Sequence, residues 1–162
     1  KLFLNGVGIG FDGEVLESMN TVRLIGGHAG YFFVVLKKIF TFREYQFKIY
    51  TDKLLTEGKL LLALVNNSSR TGGGFHVSPK ATVNDGLLDL VTCQPLSLWQ
   101  RLRYLPVIEK GQHLNLPFIQ HHTGSKFTIE CEKKVAAQLD GELLFDNRFE
   151  FEVLKDQFLF LY

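Results

Sequence analysis

The apolar rhythm of the chain changes several times, and each change predicts an element. An apolar, glycine-rich opening over residues 2–9 reads as a strand running into Gly6, Gly8 and Gly10. Asp12 stands where its carboxylate can cap the free N–H groups of a short helix over residues 14–19. Tyr31, Val34, Val35, Leu36, Ile39 and Phe40 predict a helix over residues 29–42. Lys37, Lys38 and Arg43 lie toward its far end, where cations suit the helix dipole. From Phe47 the period becomes strand-like, through Ile49 and Leu54-Leu55 to Gly58. The long apolar run over residues 59–66 predicts a strand buried on both faces, and residues 87–92 predict another. Pro95 and Ser97 open a second helix over residues 98–109, with Leu98, Leu102 and Leu105 on one face and Arg101 and Arg103 on another. Pro106 should kink it or end its regular part. Toward the C-terminus Phe127, Ile129 and Cys131 alternate, as do Phe149, Phe151 and Val153. Asp140-Gly141 and Asp146-Asn147 read as turns between strands. Many strands with two or three inserted helices predict an α+β fold, mainly β, built on a β-sandwich.

Composition narrows this picture. The 162 residues suffice for one domain with a sizeable core, and 46% hydrophobic against 22% charged residues excludes a disordered chain. Fifteen Phe beside one Trp and one Met suit aromatic-lined strands, and would equally line a site for a hydrophobic ligand. A net charge of +1, with no Lys/Arg run longer than two, gives no basic patch, so nucleic acid is not an expected partner. Cys93 and Cys131 match neither a zinc pattern nor a disulfide framework and read as buried thiols in a reducing compartment. No apolar run approaches the ~20 residues that cross a bilayer. The chain opens on Lys1-Leu2-Phe3-Leu4 with no initiator Met, which reads as a piece of a longer protein entered at a domain boundary.

Three clusters could carry chemistry. Asn66-Asn67 is followed by Gly72-Gly73-Gly74, a loop that permits close backbone approach to a ligand or merely turns a hairpin. The run is not a P-loop, since no Gly-Lys-Ser/Thr follows. Within residues 79–89, Asp85-Gly86 is either a plain turn or an oxygen site for a hard cation, in which a carboxylate converges with backbone carbonyls. Asp140-Gly141-Glu142 is either a hairpin with two exposed carboxylates or a catalytic pair. On an extended backbone, residues two apart point the same way and would share a site. His121-His122 lies among polar residues and reads as a solvated loop. No Gly-x-Ser-x-Gly occurs, so a serine hydrolase has no support.

Taken in order, Asn5-Gly6-Val7-Gly8-Ile9-Gly10-Phe11-Asp12, Val65-Asn66-Asn67, Gly72-Gly73-Gly74-Phe75, Ser78-Pro79, Asn84-Asp85-Gly86-Leu87-Leu88-Asp89 and Asp140-Gly141-Glu142 resemble the C-terminal domain of bacterial diacylglycerol kinases and related lipid kinases. More distantly they are similar to sphingosine and ceramide kinases. The resemblance spans nearly the whole chain. It implies a two-domain enzyme whose N-terminal domain, absent from these residues, binds ATP on a Gly-Gly-Asp-Gly-Thr loop. It implies that residues 1–162 form the β-sandwich, lipid-binding and catalytic domain, with the lipid entering near the interdomain cleft. It makes Asp140 the general base on the hydroxyl of diacylglycerol or a similar lipid, with Glu142 beside it. It also implies a structural Mg²⁺, or Ca²⁺, held by Asp85 and the carbonyls of Thr82 and Leu87. The implied partners are the lipid substrate, the chain's own N-terminal kinase domain, a membrane surface met peripherally from the cytoplasm, and a second copy in a homodimer. Asn66-Asn67 stands where the family often has Asn-Gly. An NAD-kinase-like C-terminal domain and a non-catalytic β-sandwich binding module are the alternatives.

Overall fold

The computed structural model describes residues 1–21, 27–71 and 74–155, with side chains up to Met19 and from Phe32 onward in the first two helices. The described chain runs β1 (Gly6–Gly10), α1 (Phe11–Thr21), α2 (Gly27–Thr41), β2 (Tyr45–Tyr50), β3 (Leu54–Leu60), β4 (Leu62–Asn66), β5 (Leu88–Cys93), α3 (Leu98–Glu109), β6 (Ile119–Gly124), β7 (Lys126–Leu139) and β8 (Glu142–Glu152). This is the expected α+β fold, mainly β. Its strands form one sheet in the order β3-β2-β7-β1-β4-β5-β6, with β8 on β7. Long β7 joins the layers. Its first half pairs with β2, its end pairs with β1, and β8 follows it on the other side.

The sheet is antiparallel throughout its described pairs, and its two faces are covered differently. On one face Val7, Ile9, Phe47, Ile49, Val65, Leu90, Phe127 and Ile129 form a closed core. On the other, Leu61, Leu64, Val91, Cys93 and Ile119 lie beneath the helices. There Val15 of α1 and Val34, Val35 and Ile39 of α2 meet Leu98, Leu102 and Leu105 of α3. Arg101 is half-buried and fastens this cover. Its guanidinium donates to the carbonyls of Ile39 at 3.0 Å and Phe42 at 3.1 Å and pairs with Glu44. It thus satisfies carbonyls left over at the end of α2. A capping box of Ser97 and Gln100 starts α3, and the helix continues through Pro106 to Glu109.

Three expectations need correction. The run over residues 59–66 is two strands, because the chain changes partners at Leu61: β3 pairs β2, whereas β4 pairs β1 and β5. Asp146-Asn147 is not a turn between strands but lies within β8. Pairing overrides its turn chemistry where the β7–β8 register slips between Glu130 and Val135. Asp12 does not precede a helix over residues 14–19; α1 begins at Phe11, so Asp12 sits inside its first turn.

Candidate functional site

The antiparallel registers bring the sequence clusters to one end of the sheet. Gly6 pairs with Asn66, Asn66 with Asp89, Asp89 with Thr123, and Val7 with Leu139. The start of β1, the end of β4, the start of β5 and the β7–β8 turn therefore lie together. Of the triple glycine, Gly72 and Gly73 lie outside the described residues; Thr71 and Phe75 close the loop, with Thr71 N–H donating to Phe75 O at 3.1 Å.

Asp140 and Gly141 have φ of 46° and 88°, the left-handed pair that a tight hairpin turn requires. This geometry turns the Asp140 carboxylate onto the entry to β1. It accepts from Leu4 N–H at 2.6 Å, from Gly6 N–H at 2.9 Å, and from Asn5 N–H through both oxygens, at 3.1 and 3.2 Å. Three donors leave room for one more among the roughly four acceptor positions of a carboxylate. Glu142 instead reaches Lys1, 3.1 Å away. The backbone between the two acids is turned rather than extended, so they do not point together as an extended segment would place them; both face residues 1–6.

Gln138 connects this turn to the interior. Its side-chain oxygen accepts from Gly141 N–H at 3.0 Å, and its amide donates to Asp12 Oδ2 at 2.9 Å. Asp12 lies directly over Gly8, where an added Cβ would fall 2.0 Å from Oδ2, so only glycine admits the carboxylate against β1. Burial pushes the Asp12 carboxyl up from its ordinary 3.8, and the Gln138 hydrogen bond offsets part of that rise. What surface Asp12 retains is on the wall of an otherwise largely aliphatic cavity of about 80 Å³. Val15, Val35, Ile39, Leu64, Val91 and Leu105 also line it, with His113. His113 donates from Nε2 to Val77 O at 3.0 Å, since a carbonyl can only accept; its Nδ1 is buried and unpartnered, and burial pulls its pKa down.

Asp85 sits at the same sheet end in an exposed turn. Its Oδ1 accepts from Leu87 N–H at 2.9 Å, and its own N–H donates to Thr82 O at 3.4 Å. These oxygens suit a hard cation in type, but one carboxylate oxygen already holds the turn, and water would have to complete the shell. Among the described residues no three His, Cys, Asp or Glu side chains gather as a metal cluster.

Sequence reasoning missed a buried polar group. His121-His122 is not a solvated loop: both lie in β6, and His121 Nε2 is 2.5 Å from the buried carboxylate of Asp89. Beside Asp89, buried Asn66 donates to Ser78 Oγ at 2.6 Å while its own side-chain oxygen has no partner. The motif Leu87-Leu88-Asp89 was a signal for Asp89, but the histidine partner follows only from strand register. Cys93 and Cys131 are buried free thiols, each pushed up to about 12 by burial, as expected of unreactive core cysteines.

A β-sandwich-like α+β domain is the class these features define, and comparison with known proteins gives the family. Residues 5–157 match the model described as "YegS C-terminal NAD kinase beta sandwich-like domain", and the chain belongs to that family. It is 29% identical over 153 residues to a protein of Shewanella frigidimarina named "Probable lipid kinase YegS-like", covering 94% of this chain and 49% of that one. It is 30% identical over 134 residues to a diacylglycerol kinase of Mycobacterium tuberculosis H37Rv, covering 81% and 43%. A crystal structure of "a putative diacylglycerol kinase from Bacillus anthracis str. Sterne" superposes with a TM-score of 0.68 at 25% identity, over 94% of this chain and 50% of the other. The chain spans about half the length of the curated relatives it matches. No helix among the described residues is long and apolar enough to cross a membrane.

Proposed function

We propose that this domain is the lipid-binding, catalytic half of an ATP-dependent kinase that phosphorylates the hydroxyl of diacylglycerol or a similar lipid. The observation that carries the reading is the Gln138 bridge. It ties the Asp140-Gly141 turn to Asp12 on the wall of an apolar cavity, linking a polar reaction edge to a greasy interior. A phosphoryl acceptor with an acyl tail needs both. As described, the cavity has room for only a few methylene groups, so a tail enters by displacing part of the helical cover.

In this reading Asp140, held by three backbone N–H groups, uses its remaining acceptor position to take the hydroxyl proton as the oxygen bonds to the γ-phosphorus and ADP leaves. Glu142 beside it orients the head group. Asp85, Thr82 and Leu87 would hold Mg²⁺, or Ca²⁺, which when bound would steady the turn and offset nearby negative charge. ATP binds mainly to the N-terminal domain of the longer protein, so the 162-residue chain alone should bind lipid without turnover. Phe32, Phe33 and Phe40 of α2 and Trp99 of α3 are exposed on the helices that cover the cavity, with Trp99 79% exposed. They form the face that meets the bilayer. An NAD-type substrate would need polar contacts for its riboses along a wall that is here mostly aliphatic.

The test is an assay of the longer protein with labelled ATP and a panel of diacylglycerol, ceramide, sphingosine and NAD. The expected result is phosphorylation of a lipid hydroxyl. Phosphorylation of NAD alone, or ATP-dependent turnover by the 162-residue chain alone, would refute the assignment.

A further inference from the structure

A second cleft, of about 460 Å³, opens away from the Asp140 turn. Lys133 and Asp140 are seven residues apart on and just beyond β7, which at ~3.3 Å per residue puts the cleft on the order of 20 Å from the carboxylates. Its origin lies in the strand pairing. β8 loses register with β7 between Glu130 and Val135, so Glu132 and Lys133 stand out exposed. Across from them the chain leaves α2 through Arg43 and enters β2 at Tyr45, and Lys59 of β3 pairs beside Gln46.

The charges in this cleft are unevenly used. Of its three carboxylates, Glu14 is taken by Lys38 at 2.7 Å and by the Tyr45 hydroxyl, and Glu44 is taken by Arg101. Of the three, Glu132 alone has no ion-pair partner among the described residues. Arg43, Lys59 and Lys133 form no ion pair among the described residues, and all three are exposed. Lys133 Nζ is instead held 5.1 Å from the centre of the Tyr45 ring, itself half-buried and fixed through its hydroxyl. Among the described residues three cations without an ion-pair partner face one such carboxylate around a fixed aromatic floor, which makes a concave site with excess positive charge in a chain whose net charge is only +1.

We propose that this cleft binds a phosphate-bearing anion through Arg43, Lys59 and Lys133, separately from the kinase site. Arg43 supplies a planar fork that can grip two oxygens of one phosphate, and the lysines supply point charges on its other side. Glu132 sets the selectivity: its charge disfavours a small dense anion sitting deep and favours a phosphate whose remaining substituent points outward. Two sources present that chemistry, a free phosphate monoester and the head group of an anionic phospholipid. The cleft begins at Thr41 and Arg43, just past Phe40, which is 61% exposed. A lipid head group in it would therefore have an apolar side chain beside it to enter the acyl layer. The inference does not depend on the kinase reading, because none of the three cations belongs to that site.

The experiment measures binding of the 162-residue chain by calorimetry with inorganic phosphate and glycerol 3-phosphate, and by sedimentation with vesicles of phosphatidylcholine with or without phosphatidylglycerol. Compared are the wild type, the triple variant Arg43→Gln/Lys59→Gln/Lys133→Gln, the single variant Lys59→Gln, and Lys53→Gln as an equal charge change on a distant turn. Loss of one charged contact should weaken binding roughly tenfold, and loss of three should abolish it. Saturable binding of glycerol 3-phosphate, tighter than that of inorganic phosphate, lost in the triple variant and kept in Lys53→Gln, supports the site with a free phosphate monoester as ligand. Binding only to phosphatidylglycerol vesicles, with the same variant pattern, supports it with a lipid head group as ligand. If the triple variant melts early, the exposed single variant Lys59→Gln decides alone. No binding to either source, or equal weakening by Lys59→Gln and Lys53→Gln, overturns the proposal.

Discussion

Both faces of this sheet are lined by aliphatic and aromatic side chains, yet they are finished differently. On the closed face Phe47, Ile49, Phe127 and Ile129 are wholly buried, and no carboxylate, His, Lys or Arg is part of that cluster among the described residues. On the helix-covered face there is a cavity, and Asp12, Arg101 and His113 are built into its wall. Filling space to native density maximises packing, so a face that leaves a void and lines it with polar groups forgoes stability for something else. The comparison separates a face that holds the fold together from a face shaped to receive a ligand. Three covering helices, clamped by one arginine, can move without breaking a strand pair.

The sharpest way to break this comparison is at the turn that Gln138 ties to the cavity face. Asp140→Asn in the longer protein preserves shape and removes the proton acceptor. It should lower kcat by roughly 10²–10⁴-fold with ATP affinity nearly unchanged, and cost about 1–3 kcal/mol of stability because its NH2 replaces an oxygen that accepts from the backbone N–H groups of residues 4–6. Glu142→Gln should do less. A kcat near wild type for Asp140→Asn on its best lipid would leave Asp140 as an anchor for residues 4–6 only, and the base would have to be sought elsewhere. On the closed face the expected effect is on stability. Phe127→Ala should cost about 3–5 kcal/mol in urea unfolding. A loss below about 1 kcal/mol would mean that this face, too, has slack.

How far the sequence foretold this molecule depends on the range of the interaction involved. The α3 boundaries and the Asp140-Gly141 hairpin were legible because capping and turn chemistry act over a few residues, as in Ser97 with Gln100. The alternation of Phe127, Ile129 and Cys131 was legible because one closed face imposes one period. Long-range features were not. Nothing local marks Leu61 as the point where the chain trades β2 for β1 and β5, and nothing in His121-His122 announces Asp89, which lies 32 positions away. Asp146-Asn147 has good turn chemistry but sits where β7 slips register, and pairing prevailed. Of the site, the acids were readable from motif order. Gln138, which ties the Asp140-Gly141 turn to Asp12 across 126 positions, was not.

A smaller effect sharpens the contrast in packing. Val91 lines the cavity and Val65 belongs to the closed core; they sit on strands that pair with each other, one on each face. Val65→Leu overfills a full space and should cost about 1–3 kcal/mol, whereas Val91→Leu has a void to enter and should cost less than about 1 kcal/mol. In the longer protein Val91→Leu should also raise the KM for a long-chain lipid more than for a short-chain one. Equal stability losses at the two positions would show that the cavity is not usable space.

The smallest expected effect is a dependence on pH that only the cavity face can produce. Burial raises the folded-state pKa of Asp12 above 3.8, with the Gln138 hydrogen bond opposing it. A raised carboxyl binds its proton more tightly folded than unfolded. Its contribution to stability is therefore complete below the unfolded value and is lost as pH rises through the folded value. Asp12→Asn keeps an oxygen for the Gln138 amide but has no proton to lose. Urea midpoints measured from about pH 4 to pH 8 should thus show the Asn variant gaining on the wild type as pH rises, then running parallel to it once Asp12 is fully ionised. Phe127→Ala, on the face without a buried carboxylate, should show a constant offset across the same range. A constant offset for Asp12→Asn as well, or a wild type that gains on it with rising pH, would mean that the Asp12 charge is stabilised where it sits. The helix-covered face would then be no more hostile to charge than solvent, and the distinction between the two faces would reduce to volume alone.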